Sequence, residues 1–277
     1  MPARRASRAL PLSLGLALAA ALLAGCATDD PSPTKAEGTP RLPRPDTPFD
    51  YQLGGAYPPP DGVKAVSRDR AAKPVPGRYN ICYVNAFQAQ PGRKTEKWWR
   101  DEHPRLLLRD DDGGLVMDKD WNEPLLDIST ADRRKALLDV VGPWIDGCAR
   151  AGYDAVEPDN LDSYARSGGR LKDDDAVRFA RLLVRRAHAQ GLAIAQKNTT
   201  ELLGKRIGFD FAVAEECGQY DECEAYAEEF DGKVFDVEYE TKGYETACRR
   251  WGAKLSVVLR DRDVRPAGER GHVYRRC

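Results

Sequence analysis

Short apolar runs rich in β-branched and aromatic residues alternate with longer amphipathic stretches along most of the chain. This alternation is typical of βα units, in which helices connect the parallel strands of one sheet. Eight runs qualify as candidate strands, and their number decides between architectures. They cover residues 50–53, 79–86, 124–129, 153–158, 192–198, 209–216, 233–239 and 254–261.

Amphipathic segments between these runs predict the crossover helices. One follows Thr130, a favourable N-cap, and stops near Gly152; a second occupies 173–191 with apolar residues repeating on one face. Shorter helices are predicted within 221–230 and 242–250. Eight strands with helices between most of them predict an α/β fold, the (β/α)8 TIM barrel. A doubly wound sheet is the alternative, which the lack of a Gly-rich phosphate-binding turn disfavours.

The length and the net charge of the chain limit the number of domains and the kinds of partner that it can have. A chain of 277 residues, 42% of them hydrophobic, can bury one sizeable core, so a single barrel domain is expected. The 43 basic and 44 acidic residues give a formal net charge of -1, so no long-range field attracts nucleic acid or an anionic membrane. We therefore expect no nucleic-acid partner.

The first 48 residues are predicted to lie outside the folded domain. Residues 1–25 combine a basic start with a long apolar stretch, as in a signal peptide. The stretch ends in Leu-Ala-Gly-Cys, similar to a bacterial lipobox, so Cys26 is the expected lipid anchor; an ordinary secretory signal is the alternative. Residues 26–48 are Pro-rich and polar and predict a lipidated, disordered tether, which leaves 49–277 as the domain. The protein is then expected on the extracellular face of a bacterial membrane, attached only through that lipid.

Six cysteines remain besides the expected anchor, and an even number in an exported protein predicts up to three disulfides. Cys217 and Cys223 are close enough in sequence to close a short loop, so they are the expected pair. The three histidines are isolated from one another, which makes a metal site improbable. We predict no metal and no cofactor.

The carboxyl ends of the candidate strands are where a barrel places its site. Nearly every candidate strand ends in a residue that can hydrogen-bond or carry charge, and tryptophans and tyrosines lie nearby in sequence. Polar groups and aromatic faces that converge at one mouth are typical of a carbohydrate cleft. The strand-end residues are Gln52, Asn85, Asp127, Glu157, Asp159, Lys197, Asn198, Glu215, Glu216, Glu238, Tyr239 and Asp261.

Alternation along a strand predicts which acids face the barrel interior. In the run "FDFAVAEE" the bulky residues at the first, third and fifth positions suit the helix-facing side, so Glu216 rather than Glu215 is expected inward. In "YDAVEPDN" the same reasoning turns Glu157 and Asp159 inward. Two carboxylates that flank a glycosidic bond can hydrolyse it: one protonates the leaving oxygen, and the other attacks the anomeric carbon or activates water. Serine-hydrolase chemistry is disfavoured, because the chain has no G-x-S-x-G turn.

Four motifs in this order resemble one known family, the endo-α-1,4-polygalactosaminidases of glycoside hydrolase family 114. The resemblance runs from about Phe49 to about Asp261. It implies a TIM-type barrel that cleaves α-1,4-linked galactosamine-containing exopolysaccharide, a cationic amino-sugar polymer, at internal bonds. The motifs are "ICYVNA" at 81–86, "VEPDNLDSY" at 156–164, "FDFAVAEECGQYDECEAY" at 209–226 and "VFDVEY" at 234–239.

The resemblance also implies roles for individual residues. Asp159 of "EPDN" and Glu216 of "EEC" are the implied catalytic pair, with Asp159 as nucleophile and Glu216 as acid/base. An acid-rich mouth suits a substrate with free ammonium groups, because an ion pair is stronger in a partly desolvated cleft than in water. The implied substrate-binding residues are Asp127, Glu157, Asn160, Lys197, Asn198, Tyr220 and Glu238.

Two other functions stay open at the level of sequence. One is a non-catalytic carbohydrate-binding surface lipoprotein that keeps the barrel and the cleft. The other is a glycosidase of the same fold that acts on a different polysaccharide. The presence of both carboxylates favours an active enzyme over the first.

Overall fold

The computed structural model describes residues 39–277. The expected signal peptide, Cys26 and the first part of the tether lie outside the described residues. Among residues 39–277, no helix combines the length and the hydropathy that crossing a membrane requires.

In the described part of the chain, eight parallel strands form the body of the fold, and each hydrogen-bonds to its neighbour in chain order. The predicted (β/α)8 barrel is confirmed in a nearly closed form. A small antiparallel pair, β4 with β5, lies apart, and β11 adds to β10 in antiparallel fashion. The strands are β1 Phe49–Gln52, β2 Ala65–Asp69, β3 Tyr79–Asn85, β4 Met117–Asp118, β5 Glu123–Pro124, β6 Ala155–Asp159, β7 Ala193–Lys197, β8 Phe211–Glu215, β9 Val234–Glu238, β10 Ser256–Arg260 and β11 Tyr274–Arg276.

Within residues 39–277, six α-helices accompany the strands, and the two long ones lie where the sequence predicts crossover helices. The longest begins after Thr130, whose side chain accepts a hydrogen bond from the Arg133 backbone N–H, and ends at Gly152 in the left-handed conformation, with φ 94°. The helices are α1 Arg93–Glu102, α2 Ala131–Ala151, α3 Asp173–Ala189, α4 Cys217–Tyr220, α5 Cys223–Glu229 and α6 Thr241–Trp251.

One of the eight predicted strands is wrong, and a different segment takes its place in the barrel. The run 124–129 is buried because it packs beside the barrel, where Leu126 forms an antiparallel bridge to Leu107. The missing barrel strand is β2, "AVSRD", for which the sequence pattern predicts nothing. Its polar residues Ser67 and Arg68 are buried because they hydrogen-bond to Glu157 and Gln52, and such long-range partners leave no apolar pattern to detect.

The barrel interior is filled by large side chains, and this reverses the predicted alternation of β8. Phe211 and Val213 belong to the interior cluster, together with Phe49 and Phe235. Their small neighbours Ala212 and Ala214 instead face the helices, where they belong to the cluster around the Cys217–Cys223 disulfide and Tyr226. The prediction that the bulky positions face the helices is therefore wrong, because here the helices pack close to β8 and leave room only for alanine.

The barrel closes between β1 and β10 without a shared strand ladder. Arg260 and Asp50, both fully buried, form an ion pair at 3.3 Å across this seam. The Tyr274 hydroxyl of β11 donates a hydrogen bond to the Phe49 carbonyl at 2.9 Å. Side chains thus hold together the two strands that backbone hydrogen bonds do not join.

The described part of the expected tether, residues 39–48, lies against the barrel. The Arg41 guanidinium pairs with Asp154 at 2.7 Å and lies over the ring of Tyr79. Asp154 also accepts a hydrogen bond from the backbone N–H of Asn80. These contacts fix the segment that enters β1 at the amino-terminal end of the barrel.

Three disulfides pair the six cysteines of the described residues. They join Cys217 to Cys223, the pair expected from the short loop, as well as Cys82 to Cys148 and Cys248 to Cys277. The disulfide between Cys82 and Cys148 ties strand β3 to helix α2. Disulfides of this number are typical of proteins that mature in an oxidising compartment.

The long-range disulfide is expected to contribute more stability than the short one. Cys82 and Cys148 are 66 residues apart, whereas Cys217 and Cys223 are 6 apart. Loop-closure entropy then predicts that the double Cys→Ala variant of the first pair loses about 4 kcal/mol of unfolding free energy, and that of the second pair about 2 kcal/mol. Urea unfolding of both variants under the same conditions measures the difference. Equal losses would contradict the expectation.

Candidate active site

A cavity of about 400 Å³ opens at the carboxyl ends of the parallel strands. Residues at or just beyond the ends of β1, β2, β3, β6, β7, β8, β9 and β10 contribute to its wall, together with the loop that contains Trp121. This is the place where a barrel of this kind presents its site. Trp121 is 57% exposed and so offers an aromatic face to a ligand.

The Lys197 ammonium lies at the floor of the cavity among three carboxylates. Its Nζ is 3.1 Å from Asp159 Oδ1, 3.3 Å from Glu215 Oε2 and 3.3 Å from Glu157 Oε1. It also donates a hydrogen bond to the Tyr51 hydroxyl at 3.1 Å. Burial alone would lower the pKa of Lys197, but the three carboxylates outweigh it and raise the pKa well above its usual value. The ammonium is therefore charged at any ordinary pH.

Asp159 ends strand β6 and is held as a carboxylate. Its Oδ2 accepts a hydrogen bond from the Tyr83 hydroxyl at 2.8 Å, and its Oδ1 accepts one from the Asn160 backbone N–H at 2.8 Å. Burial by itself would raise the pKa of Asp159, but the Lys197 ammonium and these hydrogen bonds hold it below the usual value. An ionised, oriented carboxylate suits a nucleophile or a general base.

Glu215, and not Glu216, ends β8 in the cavity. Its Oε2 accepts a hydrogen bond from the Asn198 side chain at 2.9 Å, and its Oε1 accepts one from the Tyr239 hydroxyl. Asn198 Oδ1 in turn accepts a hydrogen bond from the Glu215 backbone N–H at 2.7 Å, so one amide fixes both ends of this residue. The inward position follows from the interior positions of Val213 and Phe211, two and four residues earlier.

Glu216 takes a different direction from the predicted one. It is the left-handed residue, with φ 61°, that turns the chain from β8 into α4, and it does not contribute to the cavity wall. Its Oε2 lies 3.5 Å from Arg262 Nη1. The expected inward position of Glu216 is therefore wrong, for the same reason that reverses the alternation of β8.

Glu157 faces inward as expected, yet it lies below the cavity floor. It is fully buried, and its two oxygens accept hydrogen bonds from Tyr51 and Ser67, each at 2.7 Å. Burial raises its pKa, although Lys197 opposes the effect. Glu157 therefore supports Lys197 and cannot contact a ligand, contrary to its implied role in substrate binding.

Asn160, Lys197 and Asn198 line the cavity, as expected for residues that bind substrate. Asn160 donates a hydrogen bond to the Asn85 side chain at 3.0 Å, which joins the ends of β6 and β3.

Three residues implied in substrate binding lie elsewhere. Asp127 accepts hydrogen bonds from Ser129 and Arg133 at the start of α2. Tyr220 is 65% exposed on α4 and is not part of the cavity wall. Glu238 points away from the interior because its neighbour Val237 occupies that side.

Glu238 instead forms a buried pair with Asp236 behind the barrel wall. Glu238 Oε1 accepts a hydrogen bond from the Gly218 backbone N–H at 2.6 Å, and Asp236 Oδ1 accepts one from that of Cys217 at 3.3 Å. Burial raises the pKa of both carboxyls, and the nearby Glu238 raises the pKa of Asp236 further. A Cβ at Gly243 would lie 2.1 Å from Glu238 Oε2, so only glycine fits there. The pair anchors the turn that follows Glu215.

Several cavity residues carry no signal in the sequence that singles them out. Tyr51 and Tyr83 are inward-facing tyrosines within apolar runs, and alternation along their strands was the one pattern that could have identified them. Glu123 lies in the loop segment before the misassigned run 124–129. Not all of the tryptophans near the strand ends in sequence reach the cavity: Trp98 and Trp99 pack around Trp144 of α2 instead.

The cavity is acidic and offers no metal-binding set. Eight of its wall residues are acidic and three are basic. Within residues 39–277, one group of three potential metal ligands exists, Cys217, Cys223 and Asp236, and its two sulfurs are joined in a disulfide. Thiolate ligation is therefore excluded there. The cavity suits a ligand that is cationic or rich in hydroxyl groups.

Two carboxylates on one cavity floor, an exposed aromatic face and the barrel together define a glycoside hydrolase. The comparison with protein families agrees: the model of glycoside-hydrolase family GH114 matches residues 30–277. The chain belongs to this family.

Solved structures support the fold. Ega3 of Aspergillus fumigatus, crystallised in complex with galactosamine, is 25% identical and superposes with a TM-score of 0.69; the match covers 87% of this chain and 98% of that chain. The glycoside hydrolase domain of PelA from Pseudomonas aeruginosa is 15% identical, with a TM-score of 0.60 and coverage of 80% and 98%. A search of curated proteins found no match to this chain.

Proposed function

We propose that this enzyme hydrolyses α-1,4-linked galactosamine-containing polysaccharide at internal bonds, with Asp159 and Glu215 as the catalytic carboxylates. The observation that carries the proposal is the pair itself, with one oxygen of each carboxyl within 3.3 Å of the Lys197 ammonium at the floor of an acidic cavity. Membership of the family and the likeness to a galactosamine-bound enzyme support this substrate class. Internal cleavage rests on the resemblance of the sequence motifs to endo-acting enzymes.

The distances favour a retaining mechanism. Asp159 Oδ1 and Glu215 Oε2 lie 3.1 and 3.3 Å from the same Nζ, so no more than about 6.4 Å, the sum of the two distances, separates them. Retaining glycosidases place their carboxyl groups ~5–5.5 Å apart, whereas inverting enzymes need ~6.5–9.5 Å to admit a water. Asp159 then attacks the anomeric carbon and forms a covalent glycosyl-enzyme. Glu215 protonates the leaving oxygen and afterwards deprotonates the water that releases the sugar.

Each neighbour has a part in this mechanism. The Lys197 ammonium and the Tyr83 hydroxyl keep Asp159 ionised and aimed. Asn198 and Tyr239 fix the carboxyl of Glu215 from two sides. Trp121 offers a face on which a sugar ring can stack.

The proposal is tested with partially deacetylated galactosaminan as substrate. Wild-type enzyme is expected to release oligosaccharides of several lengths early in the reaction, as detected by mass spectrometry, and to give an α-configured product by NMR. Asp159→Asn is expected to lower turnover by about 10³-fold or more, because the amide is neutral and a poor nucleophile. Its unfolding midpoint and its circular dichroism spectrum serve as controls for the fold. Unchanged turnover in this variant, or cleavage of other polysaccharides alone, would contradict the proposal.

Export and lipid anchoring at Cys26 remain part of the proposal. Three disulfides within the described residues support a mature protein in an oxidising compartment. Mass spectrometry of the N-terminal peptide from membranes of the producing cell would detect a lipid-modified Cys26, and a Cys26→Ala variant should leave the membrane fraction.

A further inference from the structure

A third carboxyl, Glu123, lies in the cavity wall with one oxygen unsatisfied. The residue is only 6% exposed, and its Oε2 accepts a hydrogen bond from the Asn85 side chain at 2.9 Å. Its Oε1 has no hydrogen-bond partner within residues 39–277, although the side chain borders the cavity. This oxygen is accessible from the cavity, where a bound ligand can supply the donor that the described residues do not.

The charged groups around Glu123 come from three neighbouring elements. Asp118 on β4 lies opposite it in the antiparallel pair, Asp159 ends β6, and Arg166 follows β6 in a 3-10 turn. Arg166 is already committed, because it pairs with Asp118 at 2.7 Å and with Asp162 at 2.6 Å. Among the described residues no cation forms a salt bridge with Glu123, and Arg166 acts on its charge only from a distance. Tyr83 is the further titratable group nearby.

We propose that Glu123 is the residue that recognises the ammonium group of an amino sugar, through its free oxygen Oε1. This inference rests on the proposed function, because it assigns the amine of the substrate to one place in that cavity. The other carboxyl oxygen, Oε2, is fixed by the hydrogen bond from the Asn85 side chain. Asn85 in turn accepts a hydrogen bond from Asn160, which directly follows β6. The ammonium site and the Asp159 nucleophile are thus held in a fixed relation by a chain of side-chain amides.

Protonation of Glu123 then couples to substrate binding. Burial, helped by Asp159 and Asp118, raises the pKa of Glu123 to about 7, against the opposing effects of Asn85 and Arg166. An ammonium group binds the ionised form, so binding below about pH 7 must expel a proton from Glu123. As pH rises towards about 7, over the range in which the substrate amine stays protonated, the ionised fraction of Glu123 and hence kcat/KM for an amine-bearing polymer should increase.

Asp120, another carboxylate of the wall, does not meet the same conditions. Asp120 is exposed to solvent, so an ion pair there is worth little. It nevertheless has the same charge and borders the same cavity, which makes Asp120→Asn the matched control for Glu123→Gln.

Calorimetry on the wild-type protein gives the first test and needs no variant. Galactosamine is titrated into the enzyme at pH 6 in two buffers with different ionisation enthalpies, with N-acetylgalactosamine as the neutral probe. We expect about one proton released for each galactosamine bound and none for N-acetylgalactosamine. Binding of galactosamine without proton release would overturn the inference, as would tighter binding of the neutral sugar.

Kinetics of the two variants give the second test. Glu123→Gln is expected to lower kcat/KM on fully deacetylated galactosaminan by about tenfold to hundredfold, as for the loss of a charged hydrogen bond, and to abolish the rise in kcat/KM near pH 7. Asp120→Asn should change kcat/KM by less than about threefold and keep that rise. Equal losses of kcat/KM in both variants would overturn the inference, as would a rise of kcat/KM near pH 7 that persists in Glu123→Gln. Either result would mean that the summed negative charge of the cavity, and not Glu123 itself, attracts the ammonium group.

The two tests separate this inference from the proposed function. If galactosamine binds with proton release but the enzyme cuts no galactosaminan, the proposed hydrolysis fails and the ammonium site stands. If the wild type cuts the polymer and Glu123→Gln does so with unchanged kcat/KM, only the ammonium site fails.

Discussion

Glu215→Gln is expected to lower kcat on galactosaminan by about 10³-fold or more, whereas Glu216→Gln should retain kcat within about threefold. The two residues are adjacent, and both substitutions remove one charge while keeping the shape. Only Glu215 reaches the cavity, where Tyr239 and Asn198 hold its carboxyl; Glu216 lies in the turn beside Arg262. Steady-state kinetics on a defined galactosamine oligomer measures the difference.

A substrate with an activated leaving group separates the roles of the two carboxylates. A 4-nitrophenyl α-galactosaminide needs no protonation of its leaving oxygen, so an acid/base variant loses much less activity on it than on the polymer. We expect this partial recovery for Glu215→Gln and none for Asp159→Asn, whose missing nucleophile is needed for either substrate. Recovery in Asp159→Asn alone would reverse the assignment. Loss of activity in Glu216→Gln with Glu215→Gln active would show that the turn after β8 rearranges on binding.

The fold was largely predictable because its signal is local. Seven of the eight barrel strands and both long helices follow from apolar periodicity and caps, features that each segment carries in its own residues. Strand β2 could not be predicted in this way, since Ser67 and Arg68 become buried only through partners distant in sequence. The run 124–129 was wrongly predicted as a barrel strand because its leucines are buried. They are buried beside the barrel, and apolar periodicity does not show which hydrophobic cluster a segment joins.

The site was predictable where backbone alternation alone decides it. Glu157 and Asp159 face inward as expected, since β6 keeps its regular alternation as far as Asp159, its last residue. The choice between Glu215 and Glu216 depended on side-chain size, and size depends on how closely the helices pack on β8, which no local pattern encodes. The roles of Glu123 and Tyr83 depend on hydrogen bonds between different strands, so they became visible only in three dimensions.

Lys197→Met is expected to destabilise the protein strongly, with a loss of about 3–5 kcal/mol of unfolding free energy at pH 7. The ammonium is 2% exposed and lies within 3.3 Å of three carboxylates, so its removal leaves buried negative charges without a partner. Lys205→Met is the matched control. That lysine is 43% exposed and pairs loosely with Asp173, so it should cost about 0.5 kcal/mol or less. Urea unfolding followed by tryptophan fluorescence measures both.

The pH dependence of this loss follows from Asp159. In the wild type its pKa lies below the usual value, so the stability it contributes is fully present above the unfolded-state pKa of about 3.9 and is lost as pH falls through the lower folded-state pKa. Without Lys197 that contribution disappears, and the carboxylates of the floor take up protons more readily. The difference in unfolding free energy between wild type and Lys197→Met should therefore be largest near neutral pH and shrink as pH falls below about 4. A difference that stays constant or grows in acid would show that Lys197 stabilises the barrel through packing of its methylene chain, and that its charge is not what the carboxylates require.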